Sequence, residues 1–300
     1  MTSDIMKPER ILVGIDFSDA SFDAARWTSR HLGRNAEMIL AHVIAIPEPP
    51  PILRGRFPRR DLVVDTVREG ADKRLRDLSA SLSSDRIWLE IREGDVTAGL
   101  ADIAREFEAS LLVVGAHGER PRLAAALGSS AERLVRVAEI PVLLVTGSLS
   151  RPPSRALVPV DESPVATEAL RWAARIGKRL AAQITVLHVE PTTVMSHVFT
   201  ASASTAGVPT VEPPGVMSAP SDRWLDLALR AGVPADRVTS EIAFGEAGQQ
   251  IIAAAERVGA GLIVMGRRGA GGVRRAVLGS VVDAVLRRAP CPVFVVGDAP

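Results

Sequence analysis

The chain has 300 residues, of which 47% are hydrophobic and 24% charged, and its formal net charge is +1. This length suits two domains of about 150 residues each, and the near-neutral charge argues against a broad nucleic-acid or membrane-binding surface. Tyrosine is absent and Cys291 is the single cysteine, which argues against base-stacking platforms and excludes an internal disulfide. We find no apolar run of membrane-spanning length and expect no signal peptide, so a cytoplasmic location is predicted.

Strand-like apolar runs alternate with segments of helical spacing through the first half of the chain. In chain order we predict strand 11–15, helix 20–32, strand 37–44, helix 61–81, strand 87–92, helix 97–108, strand 111–114, helix 129–137 and strand 142–145. Continuous apolar strands separated by helices predict a parallel sheet that is covered on both faces.

The second half repeats the first at a spacing near 150 residues. The segment RILVGIDFS at 10–18 corresponds to RALVPVDES at 155–163, and Gly115 corresponds to Gly266. The offset grows between these points, so the extra residues of the second copy fall in 191–220, where Ser, Thr, Pro and Gly predict a loop. The linker GSLSRPPS predicts a boundary between a first domain, 1–150, and a second domain, 151–300.

An aspartate follows the first strand of each copy, at Asp16 and Asp161. A glycine loop, G-x2-G-x9-G-S, follows the fourth strand. Open parallel sheets bind ligands beyond the carboxyl ends of their strands, where the strand order reverses. If aspartate and loop share one site, strands one and four are neighbours, which favours the order 3-2-1-4-5 over 2-1-3-4-5. Each aspartate is interpreted either as the N-cap of the next helix or as a contact to a base or ribose.

The glycine loop has the composition of a phosphate cradle. Gly115 and Gly118 are predicted to turn with positive φ and to bring backbone N–H groups close to an anion. Gly128 and Ser129 open the next helix, whose unpaired N–H groups and dipole favour negative charge. The counterparts in the second copy are Gly266, Gly269, Gly279 and Ser280. The alternative is that the glycines only form turns and the serines only cap helices.

The remaining candidate residues have structural interpretations. His42 and His188 are predicted to be structural, and Cys291 is predicted to be an inert core thiol. His117, inside the first loop, either touches a phosphate or is an ordinary surface residue. The second loop is more basic, through Arg267 and Arg268 among others. The chain has no P-loop or paired zinc-ligand motif, so no metal-ligating side chain and no catalytic residue is predicted.

With these motifs the chain resembles a tandem universal stress protein over nearly all of its length. It contains the family's ATP-binding signature G-x2-G-x9-G-[ST] at 115–129 and again at 266–280, and its segments GIDFS, PVDES, PVLLV and PVFVV are also similar. The resemblance implies two tandem doubly wound α/β domains of the adenine nucleotide alpha hydrolase type. Each domain would have a five-stranded parallel sheet of order 3-2-1-4-5.

The resemblance also implies an ATP site in each copy. Asp16 and Asp161 would lie at the adenine end, with the backbone of Val43 and Val189 nearby. The loops would hold ribose and phosphates through Gly115, His117, Gly118, Gly128, Ser129 and Ser130, and through Gly266, Arg267, Arg268, Gly269, Gly279, Ser280 and Val281. Mg²⁺ is expected to accompany the phosphates.

Two departures distinguish the chain from the family pattern. Pro159 stands where the first copy has Gly14. Ala131 and Val282 stand two residues beyond the G-S pair, where many ATP-binding members carry Ser or Thr. One hydroxyl that could meet a phosphate is therefore missing in each copy.

The predicted function is a nucleotide-dependent regulator or sensor in the stress response, with up to two ATP per chain. No strong general base is recognisable, so the chain is not predicted to be an enzyme and hydrolysis is expected to be slow or absent. The alternatives are a nucleotide-free interaction module of the same fold, a slow ATPase and a flavin-dependent electron carrier. In the family the last strands pair across a two-fold interface, which implies an intrachain pseudo-dimer and allows a homodimer. No nucleic-acid or membrane partner is expected.

Overall fold

The computed structural model describes residues 9–46, 60–116, 127–146, 153–191, 216–217, 222–268 and 278–297. The chain divides into two compact units, Met1–Val145 and Thr146–Pro300. Among the described residues, no helix is both long enough and apolar enough to cross a bilayer.

The first unit alternates strands and helices as predicted. Its elements are β1 (Glu9–Gly14), α1 (Asp19–His31), a short 3-10 helix (Gly33–Asn35), β2 (Ala36–Ile44), α2 (Arg60–Ala80), β3 (Ile87–Glu93), α3 (Val96–Glu106), β4 (Leu111–Gly115), α4 (Ser129–Val137) and β5 (Val142–Val145). The strands are parallel and lie in the order β3-β2-β1-β4-β5. The predicted order 3-2-1-4-5 is therefore confirmed for this unit.

The second unit repeats the architecture with one addition. Its elements are β6 (Arg155–Val160), α5 (Pro164–Leu180), β7 (Gln183–Glu190), β8 (Val216–Met217), α6 (Asp222–Arg230), a 3-10 helix (Ala235–Arg237), β9 (Val238–Phe244), α7 (Ala247–Arg257), β10 (Leu262–Gly266), α8 (Ser280–Arg288) and β11 (Val293–Val296). The parallel strands follow the order β9-β7-β6-β10-β11, which again is 3-2-1-4-5.

The added element is β8, which pairs antiparallel with β9. It lies in the segment 191–220, which was predicted to be a loop, so that prediction is wrong at residues 216–217. Two residues are too few to carry a strand periodicity, and only the neighbouring edge strand offers them partners. Residues 192–215 and 218–220 of this segment lie outside the described residues.

The central strands are buried on both faces. Ile11, Leu12 and Val13 of β1 have no exposed surface, and neither do Leu157 and Val158 of β6. Helices cover both sides of such strands, which is why they appear in the sequence as unbroken apolar runs rather than as alternating ones. Because the middles of these strands are buried, the chain leaves the core at strand ends such as the carboxyl ends of β1 and β4.

Candidate functional site

The carboxyl ends of β1 and β4 lie side by side. The two strands pair in register from Ile11 opposite Leu111 to Val13 opposite Val113. Beyond this ladder the chain continues from β1 through Asp16 to α1, and from β4 through the glycine loop to α4. The strand order reverses between these two strands, which creates the crevice where open parallel sheets bind ligands. The second unit places β6 beside β10 in the same way.

Asp16 and Asp161 each orient a capping serine. Oδ1 of Asp16 accepts hydrogen bonds from the backbone N–H of Ser18 at 3.0 Å and from its hydroxyl at 2.5 Å. Asp161 bonds Ser163 with the same two distances. The serines are the N-caps of α1 and α5, so the interpretation of the aspartates as N-caps is wrong. Asp16 is exposed and Asp161 half-buried, so both carboxylates lie at the surface of the crevice.

The two histidines tie the second strand of each unit to the first. Nδ1 of His42 lies 2.7 Å from the carbonyl oxygen of Ile15, and Nδ1 of His188 lies 2.9 Å from that of Val160. The structural interpretation of both histidines is thus confirmed. These bonds also fix the strand ends that carry Val43, which is 7% exposed, and Val189.

The first glycine of each loop is required by close packing rather than by a positive φ. Neither Gly115 nor Gly266 has a φ in the left-handed region, so that part of the prediction is wrong. A Cβ at Gly115 would lie 2.7 Å from the backbone carbon of Ala20 in α1. A Cβ at Gly266 would lie 2.7 Å from Cγ1 of Val165 in α5. The glycines therefore let the fourth strand of each unit, β4 or β10, lie close to the start of the first helix, α1 or α5.

Backbone hydrogen bonds close the neck of each glycine loop. Ala116 donates to the carbonyl of Val145 at 3.0 Å, and Gly128 donates to the carbonyl of Ala116 at 2.9 Å. In the second unit Arg267 donates to Val296 at 2.7 Å, and Gly279 donates to Arg267 at 3.4 Å. These bonds hold the start of α4 or α8 next to the end of the fourth strand. The predicted contacts His117, Gly118 and Gly269 lie outside the described residues.

The helices that follow the loops begin without a side-chain cap. The N-cap of α4 is Gly128 and that of α8 is Gly279, and neither helix has a side-chain cap hydrogen bond within the described part of the chain. By contrast, α1, α3, α5 and α7 are capped by Ser18, Asp95, Ser163 and Glu246. Among the described residues, no side chain therefore caps the first N–H groups of α4 and α8, which are the groups that bind anions at helix starts.

The residues at these helix starts differ in exposure. Ser129 and Ser130 of α4 and Ser280 of α8 are exposed, and Val281 is half-buried. Arg267 is only 7% exposed, and a Cβ on Gly297 would lie 2.9 Å from its guanidinium. The guanidinium therefore packs against the end of β11, whereas the neighbouring Arg268 is half-buried. A phosphate contact by Arg267 or Arg268 stays a prediction.

Helix α3 has a buried polar residue in its first turn that was not among the predicted site residues. Thr97 follows the N-cap Asp95 by two residues and is 7% exposed. The backbone N–H of Ala98, and then Arg133, hold the pKa of Asp95 below its usual value. A threonine just behind an N-cap is common on solvated helix starts, so only its burial makes Thr97 unusual.

Within the described residues, no group of three or more His, Cys, Asp or Glu side chains could hold a metal ion.

Comparison with known proteins identifies relatives along both units. Residues 8–146 and 153–297 each match the model of the Universal stress protein family. A universal stress protein of Mycolicibacterium smegmatis is 27% identical over 303 residues, which cover 95% of this chain and 96% of the relative. One from Mycobacterium tuberculosis is 26% identical over 307 residues, which cover 96% and 97%.

A solved structure supports the fold. The crystal structure of a universal stress protein from Archaeoglobus fulgidus aligns with a TM-score of 0.68 and 23% identity, over 98% of this chain and 100% of that one. At this level of identity the likeness concerns the arrangement of strands and helices alone.

Proposed function

The chain belongs to the universal stress protein family, and we propose that it binds ATP in both crevices and acts as a nucleotide-dependent regulator or sensor in the stress response. The observation that carries the proposal is the glycine N-cap of α4 and of α8. Four other helices have a side-chain oxygen at this position, whereas these two offer their N–H groups to an anion. A phosphate there would also interact favourably with the helix dipole.

The aspartates give the ligand a direction. Asp16 and Asp161 stand at the end of the first strand, across the crevice from the uncapped helix. A carboxylate accepts hydrogen bonds from amino or hydroxyl groups and repels phosphate. The base and ribose would therefore lie toward the aspartate and the phosphates toward α4 or α8. Mg²⁺ would be bound through the phosphates, and hydrolysis would be slow or absent.

The proposal is tested with a charge placed at the first residue of each uncapped helix. Ser129→Asp and Ser280→Asp each add a carboxylate at an exposed position, where it stabilises the helix by about 0.3–1 kcal/mol and repels phosphate. We expect calorimetry with ATP to detect two sites in the unmodified chain and one in each single variant. The affinity of the altered crevice should fall at least about tenfold, which corresponds to roughly 1.4 kcal/mol.

Matched controls separate charge from shape. Ser129→Asn and Ser280→Asn have nearly the same size as the aspartates and should retain both sites. Thermal unfolding of the aspartate variants should show no loss of stability. If the unmodified chain binds no ATP at millimolar concentration, or if the double aspartate variant binds as well as the unmodified chain, the proposal is wrong.

A further inference from the structure

Thr97 has a buried hydroxyl whose hydrogen bonding is incomplete. The residue is 7% exposed, and its Oγ1 has no hydrogen-bond partner within the described part of the chain. Its backbone N–H donates to Asp95 at 2.9 Å, so the capping of α3 does not use the hydroxyl. Burying a hydroxyl without a partner is costly, and such a group in a folded protein requires an explanation.

The packing of α3 places this hydroxyl at the crevice. A Cβ at Gly14 would lie 3.1 Å from Leu100 of α3 and 3.2 Å from Val114 of β4, so Leu100 packs over the end of β1, on the side where β4 ends. Thr97 precedes Leu100 by three residues and lies on the same face, one turn closer to the helix start. Because α3 runs antiparallel to the strands, its start lies at their carboxyl ends. Thr97 is thus the buried residue of α3 that lies nearest to the carboxyl ends of the strands.

The start of α3 is also close to α4. Nη1 of Arg133 in α4 lies 3.4 Å from Oδ2 of Asp95. The uncapped N–H groups of α4 and the hydroxyl of Thr97 are therefore two independent sets of hydrogen-bond donors at one end of one crevice. Both would be satisfied by the same group, an anionic oxygen.

We propose that Thr97 is a ligand-contacting residue of the first crevice and donates its hydroxyl to a phosphate oxygen of the bound nucleotide. It replaces the hydroxyl that is missing at Ala131, from a different helix. The inference rests on the proposed ATP binding and assigns a further contact to one of the two sites.

The second unit has no equivalent of this contact. Gly248 occupies the corresponding position behind the N-cap Glu246 of α7. A Cβ at Gly248 would lie 2.9 Å from the Cβ of Ala284 in α8, so the two helices are too close together for a threonine. The first crevice therefore has one more phosphate donor and binds ATP more tightly through it.

The test uses full-length chains in which only one crevice is open. In the Ser280→Asp background, Thr97→Val should weaken ATP binding about tenfold, because the isosteric valine removes the donor. Thr97→Ser should stay within about threefold, because serine keeps it. In the Ser129→Asp background, Thr97→Val should leave binding at the second crevice unchanged. Isothermal titration calorimetry measures all three.

A stability measurement separates ligand contact from a structural role. Thr97→Val removes a buried hydroxyl without a partner, so the melting temperature of the nucleotide-free protein should stay equal or rise. A lower melting temperature would assign the hydroxyl a protein partner and overturn the proposal. Unchanged ATP affinity of Thr97→Val in the Ser280→Asp background would overturn it while leaving the proposed function intact. If the Ser280→Asp protein binds no ATP, the proposed function itself fails and this contact with it.

Discussion

The first unit covers His42 with Phe17, whereas the second covers His188 with Trp224. The Phe17 and His42 ring centroids are 4.4 Å apart, and Trp224 stacks on His188 at 4.2 Å. Phe17 comes from the turn after β1 and has a left-handed φ of 66°, whereas Trp224 belongs to α6. The units therefore keep the histidine and its bond to the first strand but cover the ring from different segments. A ring of suitable size, and not a particular residue, is what this position requires.

The two units also differ where the crevice begins. β1 pairs with β4 over three residues, up to Val13, whereas β6 pairs with β10 over two, up to Leu157. Pro159 lies just beyond the shortened ladder and has no N–H to donate. The first strand and the fourth strand thus separate one residue earlier in the second unit. The two crevices share a plan but differ in the length of the ladder between the first and fourth strands.

A third difference is the ion pair between the third strand of each unit and the helix that follows it. Glu106 at the end of α3 pairs with Arg92 of β3, and Arg257 at the corresponding place in α7 pairs with Glu241 of β9 at 2.5 Å. The acidic partner raises the pKa of the arginine in each case. Both units thus join their third strand to the following helix by an ion pair, with the acidic residue on the helix in the first unit and on the strand in the second.

The largest expected difference between the units concerns the first glycine of each loop. Gly115→Ala places a Cβ within 2.9 Å of three backbone atoms of α1, which cannot move without shifting the helix. A Cβ at Gly266 would lie 2.7 Å from the Cγ1 methyl of Val165 and 3.2 Å from the backbone oxygen of Arg268, so its tightest contact is with a methyl group that can rotate away. We expect the first change to lower the free energy of unfolding by about 2–4 kcal/mol and the second by about 1 kcal/mol, as measured by urea denaturation.

Val165→Ala provides the matched control for this pair. Combined with Gly266→Ala it removes the clashing methyl groups, so the double variant should be more stable than the sum of the single effects suggests. Equal losses of unfolding free energy for Gly115→Ala and Gly266→Ala would show that α1 starts as far from β4 as α5 starts from β10.

A smaller difference is expected at the ends of α3 and α7. Glu108 has a φ of 49°, and Gly259 has a φ of 63° at the corresponding position. A left-handed backbone strains glutamate but not glycine. Glu108→Gly should therefore stabilise the chain by about 0.5 kcal/mol, and Gly259→Glu should destabilise it by about 1 kcal/mol, as measured by thermal unfolding.

Glu108→Gln controls for charge in this experiment. Arg10 lies 3.6 Å from Glu108, whose side chain is 61% exposed, so the ion pair contributes little. The glutamine variant keeps the strained backbone and should match the unmodified chain. A stability gain in Glu108→Gln as large as that in Glu108→Gly would trace the effect to charge rather than to φ.

The smallest expected effect is the pH dependence of the α3 cap. The pKa of Asp95 is lowered by its hydrogen bond from Ala98. Its stabilising contribution is therefore complete above the ordinary aspartate pKa and is lost as pH falls through the lower folded value. Asp95→Asn keeps a capping oxygen and removes this loss. Because the side chain is 48% exposed, the difference should be only a few tenths of a kcal/mol.

The difference is measured by recording the free energy of unfolding of Asp95→Asn and of the unmodified chain at several values between pH 3 and pH 7. The pH range is roughly that in which an exposed aspartate changes its charge. If the free energies of unfolding of the two proteins change with pH in parallel, the carboxylate of Asp95 is not held by α3 in the native state.

Most of the fold was predictable because it depends on local patterns. The helix at Ser129–Val137 and the strand at Val142–Val145 have the predicted bounds, since Gly and Pro mark their ends. The order 3-2-1-4-5 followed from assuming that Asp16 and the loop share a crevice. The edge strand β8 could not be predicted, because two residues carry no period and depend on a partner strand.

The candidate site was predicted less completely, because its residues meet only through the fold. The sequence indicated the residues Asp16, Gly115 and Ser129, but not that Asp16 orients Ser18 or that the helices after the loops lack side-chain caps. In a sequence, a glycine that is needed because a Cβ would collide with the backbone of Ala20 looks the same as a glycine that is needed for a positive φ. Nothing in the sequence distinguishes Thr97 except that the second copy has Gly248 at the corresponding position.

The sequence by itself determined the duplication, the alternation of strands and helices, the family and the positions of the glycine loops. Each of these depends on spacing along the chain, which a periodic or repeated pattern records. Only the tertiary structure decided the close approach of β4 to α1, the burial of Thr97 at the crevice, the cover of each histidine and the ladder shortened at Pro159. These features depend on residues that are distant in sequence and come together only after the sheet and its helices have packed.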